Sequence, residues 1–287
     1  MAIEHVSDTA RWVAVYRAME TERPDAIFRD PFAKRLAGER GEKIVDEMKM
    51  GRRMAWAMIV RTKVFDEVIL DIIQREKVDL VLNLACGLDA RAWRLDVPAD
   101  MRWVDVDFPV MIDYKTGIMK DERPVCRYEA IATDLTDDSK RSALLARLGA
   151  SAQRVLVLSE GLLIYLSPEQ VSTLARDLRS HASFRWWLID LASPQLLQRM
   201  KKMWGGGVAA GNAPFLFAPE ESSDFFRPLG WREVRYLAQM DEARRLHREM
   251  QGMWLYRIIG AVSGVFASKK SKEMWKRFSG CALLGRT

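Results

Sequence analysis

The segment 78–95, VDLVLNLACGLDARAWRL, constrains the fold more than any other part of the chain. Val78, Leu80, Val81, Leu82 and Leu84 form an apolar run, the pattern of a strand buried on both faces of a parallel sheet covered by helices. The run ends in a small-residue loop around Gly87, and the residues that follow read as an amphipathic helix. Gly87 at the carboxyl end of such a strand lets backbone N–H groups approach a ligand closely, and the helix adds its positive N-terminal end. Twenty residues past Gly87, a second strand candidate (Met101 to Val106) ends at Asp107, where a carboxylate can accept hydrogen bonds from a ribose diol. Loop and distal acid together predict a nucleoside ligand.

What the loop lacks narrows that ligand. A dinucleotide site of the G-x-G-x-x-G kind needs a second glycine so that backbone can reach the pyrophosphate. Here the loop reads Ala85-Cys86-Gly87-Leu88-Asp89-Ala90, with one glycine and an acid that repels phosphate. A cationic, phosphate-free nucleoside such as S-adenosylmethionine fits better, because its sulfonium and ammonium groups tolerate nearby carboxylates. Taken alone, the loop also fits a bare structural turn around a buried glycine.

Strand candidates at 78–84, 102–106, 126–131, 155–159 and 185–191 alternate with helical patterns, which predicts a doubly wound parallel sheet. About sixty helix-prone residues precede them, with Asp8 or Thr9 as a first cap and breaks at Pro24 and Pro31. Arg61 to Glu76 has helical spacing, and Ser167-Pro168-Glu169-Gln170 is a start signal for a helix running to Ser183. After Ala192 the pattern loosens: Gly205-Gly206-Gly207 and the residues through Ala213 read as a mobile loop, Pro219 to Phe226 as the start of a helix ending near Gly230. Trp231 to Leu237 reads as a sixth parallel strand. The apolar run Met253 to Phe266 contains Arg257 and is too short to span a bilayer, so it reads as a buried lid helix, with interfacial membrane attachment as the alternative.

At 287 residues the chain is one large domain or a domain with insertions. Residues 1–10 include Glu4 and Asp8 and no apolar stretch of the signal-peptide kind, so a cytoplasmic location is expected. Cys86, Cys126 and Cys281 are too few and too scattered for a disulfide framework or a zinc site, and no metal is expected. The net charge of +6 resides in the last segment, since residues 241–287 hold ten Lys/Arg against four Asp/Glu. The remainder is near neutral, and a solvated basic face is expected rather than a nucleic-acid site. Nothing here sets the oligomeric state.

Six collinear segments carry a family resemblance: Glu22-Arg23-Pro24-Asp25 with Asp30-Pro31-Phe32-Ala33; Arg61-Thr62 with Phe65-Asp66; Asn83 to Leu95; Val104-Asp105-Val106-Asp107-Phe108-Pro109 with Lys115; Asp134-Leu135; and Ser159 to Leu166. In this order and spacing the chain resembles the leucine carboxyl methyltransferase family, and more closely its bacterial branch of small-molecule S-adenosylmethionine-dependent O-methyltransferases. The resemblance implies an α/β fold, a doubly wound, mostly parallel seven-stranded sheet of the class I methyltransferase, Rossmann-like kind. Its parts would be an N-terminal helical cap (1–60), the cofactor-binding core (61–240), a helical lid insertion (241–280) and a terminal strand (281–287). Cys281 to Leu284 would be the antiparallel seventh strand.

The resemblance also implies roles. Arg61 matches the arginine that holds the methionyl carboxylate; from the residues alone it could instead pair with Glu67 or Asp66 on its own helix. Gly87 lies against the methionyl part. Asp107, selected over Asp105 by the Asp-Phe-Pro sequence, binds the ribose hydroxyls, with a helix cap ahead of Pro109 as the alternative for either acid. Asp134 and Leu135 contact adenine, although an Asp turn before Thr136 would look the same. Glu160 anchors the amino group or compensates the sulfonium, or else caps the strand; Tyr165 lines the acceptor pocket or packs in the core. The implied activity is methyl transfer to a carboxylate or hydroxyl of a small, polyketide-like acceptor, as in secondary metabolism. The alternatives are methylation of a protein C-terminal carboxylate and a non-catalytic S-adenosylmethionine-binding module. A carboxylate acceptor needs no general base, whereas a hydroxyl gains about 10²–10⁴-fold from one. His5, His181 and His247 are the candidates, and none is assigned: the catalytic residues stay unknown. The chain departs from the family pattern at Ala85-Cys86 and Asp89-Ala90, and little in 195–280 matches.

Overall fold

The computed structural model describes residues 7–48, 50–210, 214–250 and 275–287. Seven strands form one sheet: β1 (Leu80–Leu84), β2 (Arg102–Asp107), β3 (Arg127–Ala132), β4 (Val155–Ser159), β5 (Phe184–Ala192), β6 (Trp231–Ala238) and β7 (Ser279–Arg286), in the order β3-β2-β1-β4-β5-β7-β6. The first five are parallel, and β7 runs antiparallel between β5 and β6. The expected seven-stranded α/β fold is therefore present. β6 has the direction of a parallel strand, yet its sheet partner is the antiparallel β7.

Alternation along the strands sorts side chains into two cores. Leu80, Leu82, Leu84, Val104 and Val106 join one, while Val81, Trp103, Leu156 and Leu158 join the other. The second core is covered by α1 (Ser7–Thr21), α2 (Ala33–Glu47) and α3 (Ala55–Glu76), whose Val64, Phe65, Val68, Ile69 and Ile72 are buried there. Asn83, Asp105, Asp107 and Asp190 lie on this same face by strand parity, so the polar groups of the sheet are gathered under α1 and α3.

Four boundaries differ from the sequence expectation. α3 begins at Ala55, a full turn and more before Arg61. After the glycine loop, the expected amphipathic helix is only α4 (Arg91–Arg94), a single turn. Arg91 and Arg94 turn inward to the buried Asp66, and Leu95 is already extended, so little helix dipole reaches the loop. Gly205-Gly206-Gly207 does not form a loop but lies within α8 (Pro194–Ala210), whose register is set from Pro194 onward. α9 (Gln239–Arg245) follows β6 directly. The remaining helices are α5 (Pro109–Met119), α6 (Asp138–Ala150) and α7 (Pro168–Ser180). α7 starts where expected, with Pro168 in its first turn and a capping box between Ser167 and Gln170. Residues 253–266, the expected lid helix, and His5 lie outside the described residues. Asp8 and Thr9 lie inside α1, and Asp8 pairs with Arg40 at 2.6 Å.

One buried carboxylate ties the first three strands together. Asp105 accepts from Lys115 Nζ at 2.6 Å, Tyr128 OH at 2.9 Å, Trp103 Nε1 at 2.9 Å and Asn83 Nδ2 at 3.1 Å. Lys115 is fully buried; burial disfavours its cation, but Asp105 outweighs this and holds its pKa above the ordinary lysine value. Replacing Lys115 by Met would leave Asp105 buried without its counter-charge, so Lys115→Met is expected to lower unfolding free energy by about 3–5 kcal/mol in urea denaturation. A loss under 1 kcal/mol would mean that the neutral donors alone satisfy Asp105.

Candidate functional site

β1 leaves toward β2 on one side and β4 on the other, so the ends of β1 and β4 flank a topological switch point, the usual crevice for ligands in open α/β sheets. A cavity of about 1570 Å³ opens there. Its wall includes Arg61, Asn83, Gly87, Asp89, Glu160 and Asp190, and it extends under α1, α3 and α8. Sites for a single drug-sized ligand run to ~300–1,000 Å³, so this one exceeds what one such molecule needs.

The loop after β1 is shaped for backbone approach. Ala85 and Gly87 both have φ +52, a left-handed conformation costly for Ala85 and free for Gly87. A Cβ on Gly87 would stand 3.0 Å from the Ala10 methyl of α1. Asp107 Oδ2 accepts the Gly87 N–H at 2.7 Å, and its Oδ1 accepts the Phe108 N–H at 2.7 Å. Burial raises the Asp107 pKa above the ordinary carboxylate value, and these two N–H donors offset only part of the rise. The two adjacent acids thus part company: Asp105 is consumed by its four donors, whereas each Asp107 oxygen keeps a lone pair beyond one backbone bond. The helix that follows is capped at Phe108, with Pro109 at its start, so Asp107 serves the glycine loop rather than the helix interior.

Arginines and carboxylates alternate across the cavity floor. Arg17 of α1 pairs with Asp30 at 2.8 Å, Arg94 with Asp66 at 2.7 Å, and Arg91 with Asp66 at 2.6 Å, Asp89 at 2.8 Å and Glu160 at 2.7 Å. Arg61 then pairs with Glu160 at 3.0 Å and with Asp190 at 3.1 Å, and Asp190 accepts the Gly161 N–H at 2.6 Å. Five carboxylates and four guanidiniums make up this network, of which Arg17, Arg61, Arg91, Asp89, Glu160 and Asp190 border the cavity itself. Burial disfavours the Arg61 cation, but Asp190 and Glu160 outweigh it and hold its pKa above the ordinary value. Burial likewise opposes the Asp66 and Asp89 carboxylates, and the arginines around them hold both below the ordinary range.

Arg61 and Glu160 are therefore brought together, and Gly87 faces the same cavity. The alternative partners of Arg61 are otherwise engaged, Asp66 by Arg91 and Arg94, Glu67 by Lys63 and Arg245. Arg61 uses Nε and Nη1 in its ion pairs, and its Nη2 has no acceptor among the described residues. Gly161 has φ +69, and a Cβ there would lie 3.3 Å from Arg61 Nη1, so the backbone after β4 closes directly on the guanidinium. Thr62 borders the cavity as well, and its buried hydroxyl has no hydrogen-bond partner among the described residues.

Asp107, Asp134 and Leu135 are not part of the cavity wall. Asp107 reaches it through Gly87, and the main chain before Asp134 is tied to Asp107 by the Thr133 N–H, 2.8 Å from the Asp107 carbonyl. Asp134 forms a local turn, its Oδ1 accepting from Thr136 N and Oγ1 at 2.8 and 2.6 Å. Leu135 packs on the core below, and its carbonyl accepts from Arg141. Tyr165 lines the cavity and its ring meets Phe215 at 5.7 Å. Burial pushes its phenol up to about 12, against the opposing effects of Thr9 and Arg61. His181 ends α7 and His247 is exposed; neither borders the cavity. Among the described residues no cluster of His, Cys, Asp and Glu could hold a metal ion, and no helix is long and apolar enough to cross a membrane. Asp190, Asp89, Arg91 and Gly161 carry much of this geometry and were not singled out as ligand residues from the sequence; Asp190 sits inside a strand, and only the sheet brings it beside Glu160.

An open doubly wound sheet with a single-glycine loop and a distal acid defines the class of S-adenosylmethionine-dependent methyltransferases, and this chain is one of them. A family model described as leucine carboxyl methyltransferase matches residues 10–179, and the chain belongs to that family. A Streptomyces coelicolor protein, named by inference an S-adenosyl-L-methionine-dependent methyltransferase, is 34% identical over 234 residues, covering 78% of this chain and 80% of its own. One from Mycolicibacterium smegmatis, named in the same way, is 37% identical over 253 residues, covering 79% and 83%. A solved structure of a DUF574 family protein from Streptomyces avermitilis shares the fold with a TM-score of 0.58 at 13% identity, covering 96% of this chain and 97% of that one.

Removing the charge of Asp66 leaves Arg91 and Arg94 buried with one anion fewer, so Asp66→Asn is expected to cost about 3–5 kcal/mol at pH 7. The folded-state pKa of Asp66 is depressed, so its stabilisation is complete above the unfolded value of about 4 and fades as pH falls through the lower folded value. The gap between wild type and Asp66→Asn in denaturant titrations should therefore shrink at acid pH. A gap that stays constant down to pH 2 would contradict the role given to the carboxylate.

Proposed function

We propose that the chain transfers the methyl group of S-adenosylmethionine to an oxygen of a small-molecule acceptor, and that the acceptor oxygen is a carboxylate. The donors and acceptors of the site fit the cofactor. Arg61 Nη2, free of the guanidinium's two ion pairs, would take the methionyl carboxylate in a charge-assisted bond. Gly87 offers bare backbone to the methionyl chain. Asp107 holds spare lone pairs for the ribose diol, and Oδ2 of Asp134 with the backbone of Leu135 would meet adenine. Glu160, besides its arginine bonds, supplies negative charge for the ammonium and sulfonium. In this reading 1–60 form a cap, 61–240 the core, 241–280 a lid and 281–287 the returning strand, and the setting is cytoplasmic.

The observation that carries the carboxylate reading is the state of the cavity's acids and bases. Glu160, Asp89 and Asp190 are each tied to an arginine, the exposed Asp241 pairs with Arg244 at 3.4 Å, burial pushes the Tyr165 phenol up to about 12, and neither described histidine borders the cavity. A hydroxyl acceptor would call for a free base, whereas a carboxylate is already nucleophilic. Bound S-adenosylmethionine supplies a methyl group activated by its sulfonium. The chain's residues align the two partners, and such alignment can account for about 7–11 kcal/mol of barrier. A carboxylate acceptor would need no proton removed, so the part left to the chain would be to hold the acceptor oxygen in line with the activated methyl group while Arg61 and Glu160 hold the methionyl end.

Calorimetric titration with S-adenosylmethionine, its demethylated product and NAD tests the site. Micromolar binding of the first two without the third is expected; NAD binding alone would overturn the reading. Asp107→Ala removes a buried charged acceptor, worth about 1.5–3 kcal/mol, and should weaken cofactor binding by one to two orders of magnitude. Because burial raises the Asp107 pKa, wild-type affinity should fall at mildly acid pH as the carboxylate takes up a proton, and this limb should vanish in Asp107→Ala. Unchanged affinity would remove Asp107 from the site.

A further inference from the structure

The cavity has a second region that the cofactor does not account for. Eight of the fifteen methionines in the chain border it, among them Met48, Met54 and Met58 on the α1–α3 side and Met200 and Met203 on α8. Tyr165, Phe215 and Phe217 close it toward the end of β4, the segment 215–217 being pinned by Leu216 and Phe217 N–H bonds to the Ile164 carbonyl at 2.7 and 3.2 Å. Even if the cofactor took the upper end of the usual range for one ligand, ~1,000 Å³, about 570 Å³ of the 1570 Å³ would remain. Unbranched thioether side chains on several walls make an apolar surface that re-forms around a flexible partner, rather than a rigid slot for one shape. At the rim stand Arg199, stacked on Phe278 at 5.4 Å, and Lys276, neither with a carboxylate partner among the described residues. Trp275 at the same rim is largely exposed, an apolar surface beside two cations.

We propose that the acceptor is a long-chain, flexible aliphatic carboxylic acid, its chain gripped by the methionine-lined region and its anionic head drawn in by the cationic rim. This rests on the methyltransferase reading above and names the acceptor's class. The carboxylate oxygen gains the methyl group, the thioether leaves with the sulfur electron pair, and the product is a neutral methyl ester. Loss of the head-group charge removes its attraction to Arg199 and Lys276. Affinity then comes from apolar burial, which scales with chain length at about 0.8 kcal/mol per methylene, or three- to fourfold in affinity.

The full-length protein is titrated with octanoate, decanoate and dodecanoate below their micelle concentrations without cofactor, and separately with S-adenosylmethionine. Methyl-ester formation from each acid is then followed by mass spectrometry. The expected result is dissociation constants falling about three- to fourfold per added methylene, with methyl esters formed, and KM falling in parallel. Met58→Ala and Met200→Ala should each weaken dodecanoate binding about five- to tenfold while cofactor affinity is unchanged. If S-adenosylmethionine binds and the acids bind without length dependence, or not at all, or bind without being methylated, the acceptor assignment is overturned and the methyltransferase reading stands. If S-adenosylmethionine itself does not bind, both fall together.

Discussion

The site depends on the alternation of guanidinium and carboxylate beneath the cavity, with Arg91 at its centre. Arg91 touches Asp66 from α3, Asp89 from the glycine loop and Glu160 from the end of β4, so three separate stretches of chain meet on one planar cation. Such pairs are buried, and burying ions is costly unless each charge is matched. The arrangement is stable only as a set. Within the single turn of α4 both arginines lie on one face against Asp66, and the chain is already extended at Leu95, ahead of Pro98.

A second buried hub works on the other side of β1. Asp105, with Lys115, Tyr128, Trp103 and Asn83, joins β1, β2, β3 and α5, and Asn83 also reaches Asp89 at 3.0 Å. The glycine loop is thus anchored from both hubs, through Asp89 to the arginines and through Asn83 to Asp105. A backbone bond from the Cys86 N–H to Val106 and a side-chain bond from Arg17 to the Leu88 carbonyl hold it too, and the Gly87 N–H on Asp107 adds a tether whose acceptor retains capacity for a ligand. The ionic network underlies the site, while Arg61 Nη2 and the methionine-lined wall border the cavity and Asp107 reaches it through Gly87.

The central strands β1 and β4 were legible because each is a short apolar run, and burial on both faces leaves such runs few alternatives, whereas the half-exposed edge strand β3 was marked by its place in the strand–helix alternation. The α7 capping box was legible for a local reason, a side chain bonding to backbone three residues on. The glycine triplet at 205–207 misled because intrinsic propensity is a weak prior that helical context overrides, and the helix after the glycine loop misled because periodicity does not reveal two arginines recruited by a distant acid. For the site, Arg61, Gly87, Asp107 and Glu160 stood out through motifs of contiguous residues. Asp190 did not: nothing in the neighbouring sequence marks a carboxylate whose partners, Arg61 and Gly161, are 129 and 29 residues away.

Sequence by itself determined the class of sheet, the order of its elements and the cofactor's chemical class, since these follow from apolar periodicity, loop chemistry and the spacing of an acid from a glycine. Only tertiary structure decided which carboxylates are spent and which are free. Asp105 and Asp107 are two residues apart on one strand face, yet one is saturated by donors from four elements and the other accepts only the backbone N–H groups of Gly87 and Phe108. Availability of a charged group depends on every neighbour that folding brings within about 3 Å, and those neighbours are distant in the chain.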